Sequence, residues 1–495
     1  MIMRSESAPL FLAGAAAYLL FLGWSMVNVS YDTWGALVVA PVIVGITVPV
    51  LRRSFNRRSS YLFPIALAGL GAKLVGSLFR YWVAFDAYGG KADAQLYHET
   101  GKLIAADIRS GAISPLAAIP HATGTQFINQ LTGLVYAMVG SSRLAGFLIF
   151  GWMGFWGAYL FLRAALLAIP GLKTRRYAYL VFLTPSLIYW PSSIGKEAWM
   201  LLCLGVASYG AARLFVGRWG AWSVPVTVIG IAGAGFPRPH FAAIWAGSLL
   251  LALFASLIIG TGKPGASDRV VTAALIGVSV VGLVIVASAT LRFLDPKGEQ
   301  AGNVGVADRV NNIFASTELN SQQGGSAITP VNVKSPLDWP FAIGRTVTRP
   351  LLFEARSAQE LFPALEMSFL VAMAALYWKR SKNLPHMLRR NAYVVFSVLI
   401  LLMFGVAFAN IANLGILTRQ RSLVLPMLFV PLCIPRRHRE EPGMSRVRVR
   451  STGHFPSSLQ RSKYTSSESP SLAREPSPTT PPNRITTPTR SRRAR

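Results

Sequence analysis

Long apolar runs alternate with short polar breaks along most of this chain, and that rhythm predicts helices that cross a bilayer. A spanning segment has to satisfy its own backbone hydrogen bonds, so each run of about 20 apolar residues reads as a helix. The runs fall near residues 9–28, 34–51, 61–83, 144–167, 178–190, 195–216, 221–235, 241–260, 270–292, 361–379, 391–410 and 422–435. The expected fold class is therefore all-α, a polytopic transmembrane helical bundle of about 12 spans occupying residues 1–435. The first run, Pro9 to Asn28, is long for the core of a signal peptide and fits an uncleaved span. The stretch Gln126 to Gly140 carries Gln126, Asn129 and Gln130 and reads as an interfacial or re-entrant helix.

Loop charge orients this set. With the N-terminus in the cytoplasm, the inner loops carry Arg52, Arg53, Arg57 and Arg58, then Lys173, Arg175 and Arg176, then Arg218, Lys263 and Arg269. Lys379, Arg380, Lys382, Arg389 and Arg390 follow, in line with the positive-inside rule. Two large loops, residues 84–143 and 293–360, then face the extracytoplasmic side. From Arg436 to Arg495 the chain is rich in Ser, Thr, Pro and Arg. It holds 14 Lys and Arg against 4 Glu and reads as a disordered, basic, cytoplasmic tail. The expected location is the inner or plasma membrane, with both termini in the cytoplasm.

Composition fits this picture. The chain of 495 residues is 52% hydrophobic and 14% charged, against about 25% charged in soluble domains. Its net charge of +29 is read as a mark of the inner face and its anionic lipids, not of nucleic acid. Cys203 and Cys433 both lie in apolar runs, and no His/Cys metal spacing occurs.

Four polar clusters are predicted at the outer face. The first, Phe85 to His98, contains Asp86, Asp93, Tyr97 and His98. A carboxylate there suits a general base, or a ligand for a divalent cation (Mg or Mn) that grips a diphosphate, with Asp93 the candidate. Asp93 equally suits a helix N-cap. Tyr97, four residues on, shares its helical face. The second, Trp190 to Glu197, offers Ser192 and Ser193 as caps and Lys196 as a phosphate contact; a re-entry turn with a snorkelling Lys-Glu pair is the alternative. The third, Phe236 to His240, sets Arg238 between two prolines, as a stiff guanidinium fork or an interface anchor. The fourth, Asn410 to Arg421, places Arg419 and Arg421 on the outer side, against the charge trend, where an anionic ligand gives a reason for them. Arg80 belongs with these, and Glu366 lies just inside the apolar zone.

These residues resemble those of polytopic glycosyltransferases of the GT-C fold. The resemblance is carried by Ala92-Asp93-Ala94 with Tyr97-His98. The turn Ser193 to Glu197 and the stretch Asn413-Leu414-Gly415 with Arg419-Gln420-Arg421 are similar to segments of bacterial polysaccharide membrane proteins. It covers roughly residues 60–435 and departs in having two extra spans before the acidic loop, which in that fold follows the first span. It implies transfer of a sugar from a polyprenyl-phosphate carrier to a cell-envelope glycan, lipid or protein. Asp93 and Asp86 would be catalytic, with Arg80, Tyr97, His98, Lys196, Arg238, Arg419 and Arg421 binding substrate. The implied partners are a lipid-linked sugar donor and membrane lipids. An O-antigen-polymerase-like enzyme, a lipid or polysaccharide transporter, and a scaffold with a recruiting tail are the other readings.

Overall fold

The computed structural model describes residues 8–55, 59–114, 122–217, 222–259, 336–355 and 358–436, with isolated positions at 276–288 and 328. The chain divides into a unit of residues 1–438 and a unit of residues 439–495. The second unit, with the expected tail, lies outside the described residues, as do most of the run 270–292 and of the second large loop. What is described is all-helical.

Eighteen helices are introduced here in chain order. They are α1 (Ala8–Asn28), α2 (Tyr31–Ser54), α3 (Leu62–Trp82), α4 (Asp93–Arg109), α5 (Gly124–Val139), α6 (Arg143–Ala168), α7 (Thr174–Leu183), α8 (Pro185–Tyr189) and α9 (Lys196–Phe215). After them come α10 (Ser223–Gly235), α11 (Pro239–Ile259), α12 (Trp339–Thr348), α13 (Ala358–Leu376), α14 (Trp378–Ser381), α15 (Leu384–Leu388), α16 (Ala392–Ala407), α17 (Leu414–Ser422) and α18 (Leu425–Cys433).

Among the described residues, five helices are long and apolar enough to cross a membrane: residues 31–54, 62–87, 143–168, 196–215 and 239–257. The count rises to seven if the bent pairs 360–388 and 414–433 are each one span. This is a membrane protein by that criterion. The other expected runs take shorter forms. Residues 178–190 are broken at Thr184-Pro185 into α7 and α8, because proline at the first helical position starts a new helix. The last run begins earlier than expected, at Leu414, and bends by 64° between α17 and α18. Residues 124–139 form α5, which lies against α4 outside the set of candidate spans.

The core is built on α6 and α9, which pack on each other; α6 also meets α2 and α3, and α9 also meets α10. Close approach is bought by glycine. A Cβ on Gly157 of α6 would run into the Leu201 carbonyl, and one on Gly205 of α9 into the Gly157 carbonyl. Small residues let helix backbones meet in a membrane, where van der Waals packing drives association. Lys73, fully buried in α3, donates through Nζ to the carbonyl of Leu187, and to that of Pro191 at 3.4 Å. It thereby satisfies backbone acceptors freed where α8 ends.

The helices run back and forth between two ends of different charge. At one end Arg163 of α6 donates to the Ser54 carbonyl at 3.1 Å, Asn391 donates to the Ala168 carbonyl at 2.7 Å, and the Lys173 amide donates to the Cys433 carbonyl at 2.9 Å. The segments gathered there, residues 49–55, 59–63, 163–180, 377–392 and 430–436, contain no Asp or Glu. At the other end lie the last turn of α3 and the first turns of α4, α6, α9, α11 and α17. The candidate site is there.

Candidate functional site

Glu197 is the second residue of α9, directly after the turn Pro191 to Gly195, and is 3% exposed. A carboxylate suits a helix N-terminus, but at this depth it needs cations. Two arginines provide them. Arg419 of α17 grips it as a fork, Nε to Oε1 at 2.5 Å and Nη2 to Oε2 at 2.9 Å. Arg238, from the Pro237-Pro239 turn between α10 and α11, donates through Nη2 to Oε1 at 2.6 Å. Bidentate guanidinium–carboxylate pairs are the strong and geometrically specific ones. The remaining Arg419 nitrogen, Nη1, reaches Asp93 Oδ2 at 3.2 Å. Arg419 therefore joins the buried Glu197 to Asp93, whose side chain is 64% exposed at the start of α4.

In front of this cluster is a cavity of about 300 Å³ lined by Arg80, Tyr88, Lys91, Asp93, Ser193 and Arg419. Arg80, from the last turn of α3, donates to the Tyr189 hydroxyl at 2.9 Å and stacks 4.5 Å from that ring's centre. Among the described residues its buried Nε has no acceptor, and neither has the buried Nη1 of Arg238. Lys196 reaches Thr125 Oγ1 at 3.1 Å and lies in electrostatic range of Arg238, Glu197, Arg419 and Asp93. Tyr97, buried on α4, bonds Thr125. Burial first, and the Asp93 charge second, push its hydroxyl up to about 12, so it stays protonated at neutral pH.

The four sequence clusters thus meet at one end of the bundle, through Asp93 from the first, Ser193, Lys196 and Glu197 from the second, Arg238 from the third and Arg419 from the fourth. Three expected residues lie elsewhere. Asp86 is exposed in the π-helical turn Val83–Ala87 that ends α3, and does not line the cavity. His98 points away from Asp93, because five residues at 100° each bring it well round α4. Its Nδ1 bonds the Tyr136 hydroxyl at 2.9 Å. It borders a second, more open cleft of about 480 Å³ with Tyr31, Asp32, Glu99, Lys102 and Arg143, where Arg143 Nε holds Asp32 at 2.7 Å. Burial lowers the His98 pKa below its ordinary value. Arg421, two residues from Arg419, projects from the opposite flank of α17; it is fully buried and donates to the Arg349 carbonyl. Glu366 faces Arg421 electrostatically and accepts the Ser186 amide at 2.6 Å.

Glu197, the anchor of the site, is not among the expected site residues; it reads in sequence as half of a snorkelling Lys-Glu pair. Its signal was a lone carboxylate at the head of an apolar run. Tyr88 and Lys91 stand in the first cluster without a chemical signature of their own. Among the described residues no three His, Cys, Asp or Glu side chains gather as a metal-holding group. Asp93 would bring a cation one protein carboxylate, with the other ligands from substrate and water. Compared with family models, with curated proteins and with solved structures, the chain finds no match.

Proposed function

We propose that this protein is a membrane glycosyltransferase that moves a sugar from a polyprenyl-phosphate carrier to a cell-envelope acceptor, working at the extracytoplasmic end of a bundle of about 12 spans. One observation carries the reading. A deeply buried Glu197 locks Arg419 and Arg238 in place, and Arg419 then opens with Arg80 and Lys91 onto a cavity that has an exposed carboxylate, Asp93, at its wall. Cations fixed before the ligand arrives stabilise charge that develops on a leaving phosphate. The sorting of basic residues to the opposite end supports an extracytoplasmic site and cytoplasmic termini.

The chemistry follows from those positions. The acceptor hydroxyl approaches the anomeric carbon from the Asp93 side and gives its proton to the Asp93 carboxylate. The new glycosidic C–O bond forms as the bond from the anomeric carbon to the phosphate oxygen breaks. The phosphate leaves with the electron pair and is held by Arg419, Arg80 and Lys91. This single displacement inverts the anomeric centre. The test is transfer of a radiolabelled sugar from polyprenyl-phosphate donors by the purified protein in nanodiscs. Asp93→Asn should lower turnover by roughly 10²–10⁴-fold, the usual worth of a positioned base, with donor KM changed far less. Undiminished transfer by that variant would end the assignment of Asp93.

A further inference from the structure

His98 takes no part in the cavity at Asp93, and the cleft of about 480 Å³ that it borders has a different electrical character. That volume is within the range of roughly 300–1,000 Å³ usual for small-molecule sites. Asp32 and Arg143 form a closed pair in its wall. Asp32 Oδ1 accepts the Arg143 amide at 2.5 Å, and Oδ2 accepts Arg143 Nε at 2.7 Å. The guanidinium is thereby fixed, with its carbon 4.7 Å from the centre of the Phe85 ring. Among the described residues its two terminal nitrogens meet no acceptor. Tyr136 takes up His98 Nδ1 at 2.9 Å, which leaves Nε2 for the cleft. Glu99 and Lys102, three positions apart on the exposed face of α4, complete the polar wall. Tyr31 supplies an apolar side. It is 56% exposed, and its hydroxyl is seated against the bare backbone of Gly140, where an added Cβ would strike it. Gly140 stands at φ +93°, which glycine alone adopts readily.

Two carboxylates meet two cations in this wall, and His98, its pKa lowered by burial, is uncharged at neutral pH. The Asp93 cavity, by contrast, is lined by three cations and one carboxylate. A balanced wall has no surplus with which to hold an ion. What it has is donors on Arg143 and Lys102 beside an acceptor on Glu99, and a ring nitrogen that serves as either. A hydroxyl both donates and accepts, so an uncharged ligand with many hydroxyls satisfies all of these groups at once. The face of the Tyr31 ring suits the C–H face of a pyranose. We propose that this second cleft binds a neutral saccharide, its ring against Tyr31 and its hydroxyls among Arg143, Lys102, His98 and Glu99. The sugar lies on a different flank of α4 from Asp93, so it is recognised there without reacting. The proposal stands on the residues of this cleft and does not depend on the transfer reaction.

Saturation-transfer NMR on the full chain in nanodiscs tests it. The probes are the neutral trisaccharides maltotriose, mannotriose and galactotriose, the acidic trigalacturonate, the basic trimer of glucosamine, and the zwitterion glycylglycine. At least one neutral trisaccharide should bind with a Kd of about 1 mM or tighter, and the charged probes at least about tenfold more weakly. Lys102→Met, at an exposed position, and Tyr31→Ala should each weaken that binding by about tenfold, whereas Asp93→Asn should leave it unchanged. Four results would each overturn the proposal: no binding of any neutral trisaccharide, tighter binding of an acidic, basic or zwitterionic probe, an affinity unmoved in both Lys102→Met and Tyr31→Ala, or loss of the signal in Asp93→Asn, which would put the sugar in the other cavity.

Discussion

Removing the Glu197 carboxylate would leave two guanidinium groups facing each other with little water to separate them. Glu197→Ala should therefore destabilise the protein by roughly 3–5 kcal/mol, the usual cost of stranding one partner of a buried pair. Chemical or thermal unfolding in detergent reads it. A loss below about 1 kcal/mol would mean that the pair behaves as a surface bridge. His98 gives a pH signature. Its pKa in the folded chain lies below the unfolded value, so the unfolded state binds the proton first. Its contribution to stability is intact well above the unfolded pKa of about 6.5 and is lost as pH falls through the folded one. The melting temperature should fall from pH 7.5 to 5.5, and less steeply in His98→Gln, measured with the Tyr136 partner intact. Residue types in the site were largely legible in sequence, and their directions were not. Arg419 and Arg421 look like a pair in a string of letters, yet on a helix two positions apart means opposite flanks, so one reaches Glu197 and the other the Arg349 carbonyl. Glu197 was hidden for a different reason. A carboxylate next to a lysine at a span boundary looks solvated until the arginines from α17 and the α10–α11 turn close over it.

At the level of helices, α9 carries the site because neighbours hold it on two sides through contacts that tolerate no side chain. Gly157 and Gly205 set its distance from α6, and across the α9–α10 interface Gly210 of α9 meets Thr227 while Gly230 of α10 meets Ala207. Gly157→Val should cost about 1–3 kcal/mol or more through overpacking and shift α9 with Glu197. Gly45→Val in α2, with nothing within 4 Å of its added carbon, should cost far less. Melting temperature and monodispersity in size-exclusion chromatography check the contrast; equal tolerance at both positions would deny the tight α6–α9 contact. The spans themselves were readable where apolar runs are long and uninterrupted, as in α2, α3, α6, α9 and α11. They are harder to read where proline restarts a helix, as at Pro185, or where a polar stretch such as Leu414 to Ser422 folds as helix with Arg419 paired to Glu197 inside the protein. No hydropathy window registers that pairing.

For the whole molecule, the sorting of charge matters most. The carboxylates of the site gather at one end, and arginine and lysine segments without a single carboxylate gather at the other. Single cysteines at Lys91 and Arg175, introduced into a chain whose own Cys203 and Cys433 are buried, should react oppositely with a membrane-impermeant maleimide in intact cells. Lys91→Cys should label and Arg175→Cys should not. The reverse pattern would turn the site toward the cytoplasm. The most direct test of the central claim, that the Glu197-anchored cations hold a lipid phosphate, is photocrosslinking with a prenyl phosphate carrying a diazirine beside its phosphate, in nanodiscs. Adducts should map to Tyr88–Ala94, Ser193–Ile194 and the segment around Arg419, and Arg419→Gln should abolish them. Adducts spread over the arginine-rich end, or undiminished by that substitution, would contradict it.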